Sequence, residues 1–106
     1  MAKFMIEGKY NADGTKGLLK EGGSSRQAAL KKAVEEVGGK LEAFYFTFGD
    51  ADAVVICEVP DVVSALAISL AVNASGLATA KTIPLITPEE VDAASHKAVQ
   101  YRAPGR

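Results

Sequence analysis

Two apolar runs near the middle of the chain dominate its pattern of hydrophobic and polar positions. Both lie within Lys40–Val59, are rich in Phe, Tyr, Val and Ile, and are separated by Gly49–Asp52. Aromatic and β-branched residues favour strands, whereas Gly and Asp tolerate the backbone geometry of turns. The pattern therefore predicts a central β-hairpin.

Both strands of this hairpin are apolar on both faces. In the first strand, Phe44, Phe46 and Phe48 share one face. The other face carries Leu41, Ala43, Tyr45 and Thr47. In the second strand, Val54 and Ile56 lie opposite Ala53, Val55, Cys57 and Val59. Because successive side chains point to opposite faces, each face needs an apolar cover. We expect one cover to come from another copy of the chain, and a charge at Phe46 to disrupt that pairing.

The segment before the hairpin predicts a strand and a helix. Lys3–Tyr10 alternates as a strand does, and the basic, glycine-rich stretch Thr15–Gly23 predicts a loop or one helical turn. Ser24 and Gln27 have the spacing of a capping box, so Ser24 is predicted to cap the helix that follows. Gly38–Gly39 is expected to end that helix.

The segment after the hairpin predicts a second helix, capped by Asp61 and ended by Gly76. This helix is apolar nearly all round its circumference, which indicates burial on more than one side. We expect its excess apolar surface to contact another subunit.

The C-terminal part predicts a strand, a helix and a tail. Leu77–Ile86 reads as a strand that either lies at an edge or ends before Pro84, because proline cannot donate to a ladder. Thr87–Glu90 forms a second capping box, with proline at the first helical position. We expect a terminal helix over residues 87–98 and an extended tail over 99–106.

The order of these elements predicts an α+β, ferredoxin-like βαββαβ fold plus a C-terminal helix, in a single domain over residues 1–106. Right-handed crossovers place both main helices on one face of a four-stranded antiparallel sheet. The opposite face is left bare. Two copies are therefore expected to pair face to face across a two-fold axis as a dimeric α/β barrel.

Composition and charge limit the class of partner and the cellular compartment that we expect. The chain has 106 residues, 48% hydrophobic and 24% charged, with twelve basic and thirteen acidic side chains. This balance argues against a nucleic-acid partner held by a general basic field. The N-terminal residues do not resemble a signal peptide, and the longest apolar segment, Val62–Val72, is too short to span a bilayer. The lone Cys57 fits a reducing cytoplasm. We expect a cytoplasmic protein with no membrane partner.

Four segments carry a resemblance to a known family. They are GLLKEGGSSR (17–26), GGKLEAFYFTFG (38–49), PDVVSALAISLAVNASG (60–76) and KTIPLITPEE (81–90). Together they resemble the GYD domain family. The resemblance implies a ferredoxin-like fold with dimeric-barrel pairing, and it implies no particular activity. The family's signature places an aromatic residue between Gly49 and Asp52, where this chain has Ala51.

Candidate ligand-binding residues come from two features of the sequence. The loop before the first helix could bind an anion through free backbone N–H groups, with Lys20 and Arg26 adding positive charge. The alternative is that its glycines only shape the entry to the helix. If the paired sheets leave a cavity, Tyr10 and Tyr45 are candidate lining residues, because each can offer a hydroxyl within an apolar space. The alternative is that both are plain core or interface residues.

The remaining polar candidates are Asp50, Asp52 and His96. Asp50 and Asp52 could act as a metal pair or as a base, since two nearby carboxylates can raise the pKa of one of them, and Asp52 is included among the candidate ligand-binding residues. The alternative is that both aspartates serve the turn through hydrogen bonds to the backbone. A single histidine does not make a metal site, and His96 is expected to be exposed or at a subunit contact. We predict no metal and no cofactor.

Three functions remain open on these grounds. The first is a homo-oligomeric module that binds or senses a small molecule held between sheet and helices. The second is a cofactor-independent enzyme, similar to monooxygenases or isomerases, acting in a barrel cavity; this rests on analogy of fold. The third is a purely structural assembly unit. Convergence of Tyr10, Tyr45, Asp52 or His96 on an enclosed cavity would favour the enzyme. A dry cavity lined by Phe and Val would favour binding, and the absence of a cavity would favour assembly.

Overall fold

The computed structural model describes residues 1–106. Its elements are β1 (Ala2–Tyr10), α1 (Ala12–Glu21), α2 (Gly23–Glu36), β2 (Lys40–Phe46), β3 (Ala53–Val59), α3 (Val62–Ala74), β4 (Ala78–Pro84) and α4 (Pro88–Ser95). The strands form one antiparallel sheet in the order β2-β3-β1-β4. The predicted α+β, ferredoxin-like arrangement is confirmed.

The hydrophobic core lies on one face of the sheet, beneath α2 and α3. Strands β1 and β3 alternate, so that every second side chain enters the core. Val34 of α2 and Ile68 of α3 join the same cluster. Its other buried members are Phe4, Ile6, Val55, Cys57, Val59 and Ala65. Burial raises the pKa of the Cys57 thiol, which keeps this side chain neutral among apolar neighbours.

A bulge in β2 changes which residues face the core. The pairing of β2 with β3 shifts between Leu41 and Ala43, so Glu42 is an extra residue in the strand. As a result, Leu41 and Phe44 both pack against the core. The prediction that Leu41 shares a face with Ala43 was wrong, because strict alternation cannot anticipate a bulge.

Phe46 also lies on the helix side of the sheet. Its ring is 2.9 Å from the position that a Cβ on Gly23 of α2 would occupy. The expectation that Phe46 belongs to the face open to another copy was therefore wrong. Ile56, which pairs with Met5 across the bare face, is the position that tests such pairing.

Helix α1 is the largest departure from the sequence prediction. A loop or single turn was expected over Thr15–Gly23, but α1 has ten residues. The Asn11 side chain accepts a hydrogen bond from the Gly14 backbone N–H at 2.8 Å and so caps the helix. Gly14 has no Cβ, and a Cβ there would collide with the backbone carbonyl of Leu77. Glycine, read as a helix breaker, here permits the close approach that holds α1 in place.

The start of α2 also differs from the prediction. Gly22, and not Ser24, is the N-cap residue, and no side chain caps this end of the helix. The other two predicted caps are present. The Asp61 side chain accepts from Ser64 N at 2.8 Å, and Thr87 and Glu90 form a reciprocal capping box at the start of α4.

The C-terminal segment leaves the body of the domain. Strand β4 lies at a sheet edge and ends at Pro84, and every residue from Ile86 to Arg106 is exposed. His96 is the C-cap of α4. The radius of gyration is 16.8 Å, compared with about 13 Å for a compact chain of about 100 residues. No helix has the length and apolar character needed to cross a lipid bilayer.

Candidate functional site

A cavity of about 290 Å³ lies between the three helices α1, α2 and α3 and the adjoining ends of β1 and β4. Ten of its fifteen lining residues are hydrophobic. A second cavity of about 60 Å³ lies against the sheet and shares Tyr10, Arg26, Leu30, Val72 and Ala78 with the first. The two spaces adjoin the same group of side chains, so we treat them as one candidate site.

Small residues on the inner faces of the helices create this space. Gly14 and Gly17 line it from α1, Ala29 and Ala33 from α2, and Ala71 from α3. Ala29 and Ala33 are four residues apart, which places them on one side of the helix. Larger side chains at these positions would have extended the core into the cavity.

Few polar groups interrupt the apolar lining. Arg26 Nη1 donates a hydrogen bond to Glu21 Oε1 at 3.4 Å, and both residues line the cavity. Ser75 Oγ donates to the Val72 carbonyl at 2.7 Å and accepts from Leu77 N at 3.2 Å, which ties it to the end of α3. Arg26, Glu21 and Tyr10 are therefore the groups that can recognise a polar part of a ligand.

Only two of the five candidate ligand-binding residues line this cavity. Tyr10 and Arg26 do, one from the end of β1 and the other from the first turns of α2. Lys20 is exposed on α1 and is not among the lining residues. Tyr45, with 70% of its surface exposed, lies on the opposite, bare face of the sheet, across from Val54.

Asp52 has a different place. Its Oδ2 accepts a hydrogen bond from the Tyr10 backbone N–H at 2.9 Å, and its Oδ1 is 3.4 Å from Lys9 Nζ. Lys9 Nζ also donates to the Gly49 carbonyl at 3.0 Å. The carboxylate thus fastens the β2-β3 loop to the end of β1. Asp52 positions Tyr10 from outside the cavity.

This contact predicts a pH-dependent contribution to stability. The Tyr10 N–H, followed by Lys9, lowers the pKa of Asp52 in the folded protein. Because the pKa of Asp52 is lower in the folded than in the unfolded protein, its carboxylate stabilises the fold at pH values above the ordinary aspartate pKa. This stabilisation is lost as the pH falls through the pKa of the folded state. We expect Asp52→Asn to be less stable than wild type at pH 7, with the difference narrowing below about pH 5.

Urea unfolding at a series of pH values measures this difference. Asp50→Asn is the matched control, because Asp50 lies in the same loop and is exposed. We expect the control to follow the wild-type curve. A difference between Asp52→Asn and wild type that stays constant from pH 7 to pH 3 would contradict the assignment.

The sheet face opposite the helices has no cover from the chain itself. Its centre is apolar, with Met5 paired to both Ile56 and Ile83 and with Tyr45 paired to Val54. Ion pairs lie at its margins: Lys3 Nζ is 3.1 Å from Glu42 Oε2, and Lys9 contacts Asp52. The bulged residue Glu42 therefore contributes to a charged border of this face. The hydrogen bond from the Lys3 side chain is the main cause of the lowered pKa of Glu42.

Comparison with protein families assigns the chain. A family model described as the GYD domain matches residues 4–95. The chain belongs to the GYD domain family. A search of curated proteins and a search of solved structures each found no match.

The matched range of the GYD domain runs from β1 to the end of α4 and includes every residue that lines the cavity. Ala51, where the resemblance implied an aromatic residue, is half-buried in the β2-β3 loop beside Asp52. Glu21, Leu30 and Val72 also line the cavity, although the sequence did not single them out. The spacing of Ala29 and Ala33 on the inner side of α2 was the one sequence signal for this space.

Proposed function

We propose that this GYD domain is a homo-oligomeric module that binds or senses a small, partly apolar molecule in the cavity between its helices and sheet. The observation that carries the proposal is an apolar space of about 290 Å³ bordered by Arg26 and Tyr10. Ligand pockets usually have volumes of about 300–1,000 Å³, apolar walls and a small number of polar groups. The cavity lies at the small end of that range, which suits a molecule of one or two rings.

The distribution of titratable groups favours binding over catalysis. Tyr10, Tyr45, Asp52 and His96 were the groups whose convergence would favour an enzyme. Of these, Tyr10 alone lines the cavity. Asp52 is engaged with the backbone of Tyr10, Tyr45 lies on the bare face, and His96 ends α4.

A neutral aromatic probe tests the binding proposal. The chain contains no tryptophan, so the fluorescence of a naphthyl compound can be followed without tryptophan emission. We expect 2-naphthamide to bind saturably at one site per chain and to raise the melting temperature, since a ligand that binds only the folded state stabilises it. If neither 2-naphthamide nor its carboxylate analogue binds, the proposal fails.

For the assembly, we propose that a second copy covers the bare sheet face. The apolar strip around Met5 and Ile56 would otherwise remain in water. The charges of this face suit a copy of itself, because four lysines and four carboxylates balance each other there. By strand register and ion pairing they are Lys3, Lys9, Lys40 and Lys81 with Glu7, Glu42, Asp52 and Glu58.

Light scattering on two aspartate variants separates this interface from another apolar surface. Val63, with 74% of its surface exposed, lies on α3, whose excess apolar surface is the other subunit contact that the sequence predicts. We expect the wild type to be a dimer or a larger assembly. Ile56→Asp is expected to be a monomer, because pairing would bury the new carboxylate. Val63→Asp is expected to keep the wild-type mass. Circular dichroism confirms that both variants are folded. A monomeric wild type, or dissociation by Val63→Asp alone, would contradict pairing through the sheet.

A further inference from the structure

We infer that the ligand of this cavity carries a single negative charge, a carboxylate or a group of similar shape, which binds Arg26 and displaces Glu21 from it. The inference rests on the proposed binding function and names the class of ligand. Its basis is the state of the Arg26–Glu21 pair at the border of an apolar cavity.

The guanidinium of Arg26 retains most of its binding capacity. It has five N–H donors, and the hydrogen bond from Nη1 to Glu21 Oε1 uses one of them. That bond is 3.4 Å long, whereas charge-assisted N–H···O bonds are usually about 2.7–2.9 Å. A carboxylate placed by a ligand can form the shorter, paired hydrogen bonds that this group favours.

Glu21 can give way at low cost. It is the last residue of α1, and 42% of its side chain is exposed, against 38% for Arg26. An ion pair between such partly exposed groups contributes little to stability. When its place on Arg26 is taken, the Glu21 carboxylate can turn to water without leaving a charge unpaired in an apolar space.

The charges around the cavity set the number of charges on the ligand. Arg26 is the one basic residue among the lining side chains, and Glu21 is the one acidic residue. With Glu21 turned away, the lining carries one positive charge, which one negative charge neutralises. A cation would face Arg26 without a partner, and a dianion would bring a second charge against apolar walls.

The remaining surface defines the body of the ligand. Leu30, Val72, Leu77 and Ala78 are among the apolar residues that line the same cavity as Arg26. Tyr10 lines the same space and offers a phenol that can donate a hydrogen bond. The ligand class is therefore an aromatic or short aliphatic monocarboxylate, or a monoanion of the same shape.

An isosteric pair of probes tests the charge requirement. 2-Naphthoate and 2-naphthamide have nearly the same size and shape and differ in charge at pH 7. We expect wild type to bind the carboxylate at least about tenfold more tightly, because hydrogen bonds to charged groups contribute more than neutral ones. Titration calorimetry or naphthyl fluorescence measures both affinities. Equal affinities would overturn the inference while leaving the binding function intact.

Variants assign the preference to particular residues. In Arg26→Gln the preference for the carboxylate over the amide is expected to fall to about one, because the charged partner of the carboxylate is lost. Glu21→Gln is expected to tighten carboxylate binding several-fold and to raise the preference over the amide, because a competing carboxylate is removed. Lys20→Gln is the control, since it removes a nearby exposed positive charge. Loss of preference in Lys20→Gln, or weaker carboxylate binding in Glu21→Gln, would overturn the assignment.

Arg26→Lys guards against a misfolded Arg26→Gln. It keeps the charge but loses the paired donor geometry, so we expect an intermediate preference. Thermal unfolding followed by circular dichroism establishes that each variant is folded. If folded Arg26→Lys and wild type show the same preference, paired binding of a carboxylate by Arg26 is ruled out.

Discussion

Replacing Gly39 with alanine is expected to lower the free energy of unfolding by about 3 kcal/mol. Gly39 lies between α2 and β2, and its N–H donates to the Val34 carbonyl at 2.9 Å. A Cβ there would lie 2.5 Å from the Glu58 carbonyl oxygen and 2.8 Å from Val59 Cγ1. Since small domains have a total stability of about 5–15 kcal/mol, this loss is a large fraction of it.

The strain has no inexpensive release, because two of its partners belong to the rigid centre of the fold. The Glu58 carbonyl is part of strand β3, and Val59 is fully buried. Either the end of α2 must move away from the sheet, or β3 must shift within it. Both movements would disturb Val34, which is also fully buried.

Gly17→Ala is the matched control for this substitution. Gly17 lies inside α1, and a Cβ there would meet nothing within 4 Å. Alanine favours a helix interior over glycine by about 1 kcal/mol, so we expect a small gain in stability. Urea unfolding of both variants measures the two effects. Similar stability in Gly39→Ala and wild type would show that the junction of α2 and β2 adjusts more freely than its contacts indicate.

The sequence predicted the fold where local pattern and tertiary packing agree. The strand at β3, predicted from its β-branched residues, and the cap at Asp61 both depend on signals within a few residues, and the structure confirms both. Helix α1 and the bulge at Glu42 depend on distant partners. Gly14 is compatible with a helix because it approaches Leu77, more than sixty positions away, and no local pattern contains that contact.

Only part of the candidate site could be predicted from the sequence, because the cavity also depends on contacts between distant residues. Arg26 was chosen for its charge near a helix start and Tyr10 for its hydroxyl on a strand, and both line the cavity. Lys20 was chosen by the same charge argument. It does not line the cavity, because its orientation depends on α1 being a helix. Tyr45 lies on the bare sheet face, so its predicted role in a cavity between paired sheets stays a prediction.

Filling the cavity at Ala33 is expected to abolish binding of both naphthyl probes, with a loss of at least about 100-fold. Ala33 lines the larger cavity from α2, and the ring of Ala33→Phe would occupy space that the ligand needs. The variant is expected to fold with a melting temperature equal to or above that of wild type, because apolar side chains would surround the new ring.

A control variant and a comparison with Arg26→Gln show whether the loss of binding comes from the filled cavity. Ala28→Phe places the same ring on an exposed part of α2 that does not line the cavity, and we expect it to bind both probes as wild type does. Arg26→Gln is expected to remove the preference for the carboxylate, whereas Ala33→Phe should exclude both probes because it removes space rather than charge. If folded Ala33→Phe still binds 2-naphthamide with wild-type affinity, the probe occupies another surface, and the site between helices and sheet is wrong.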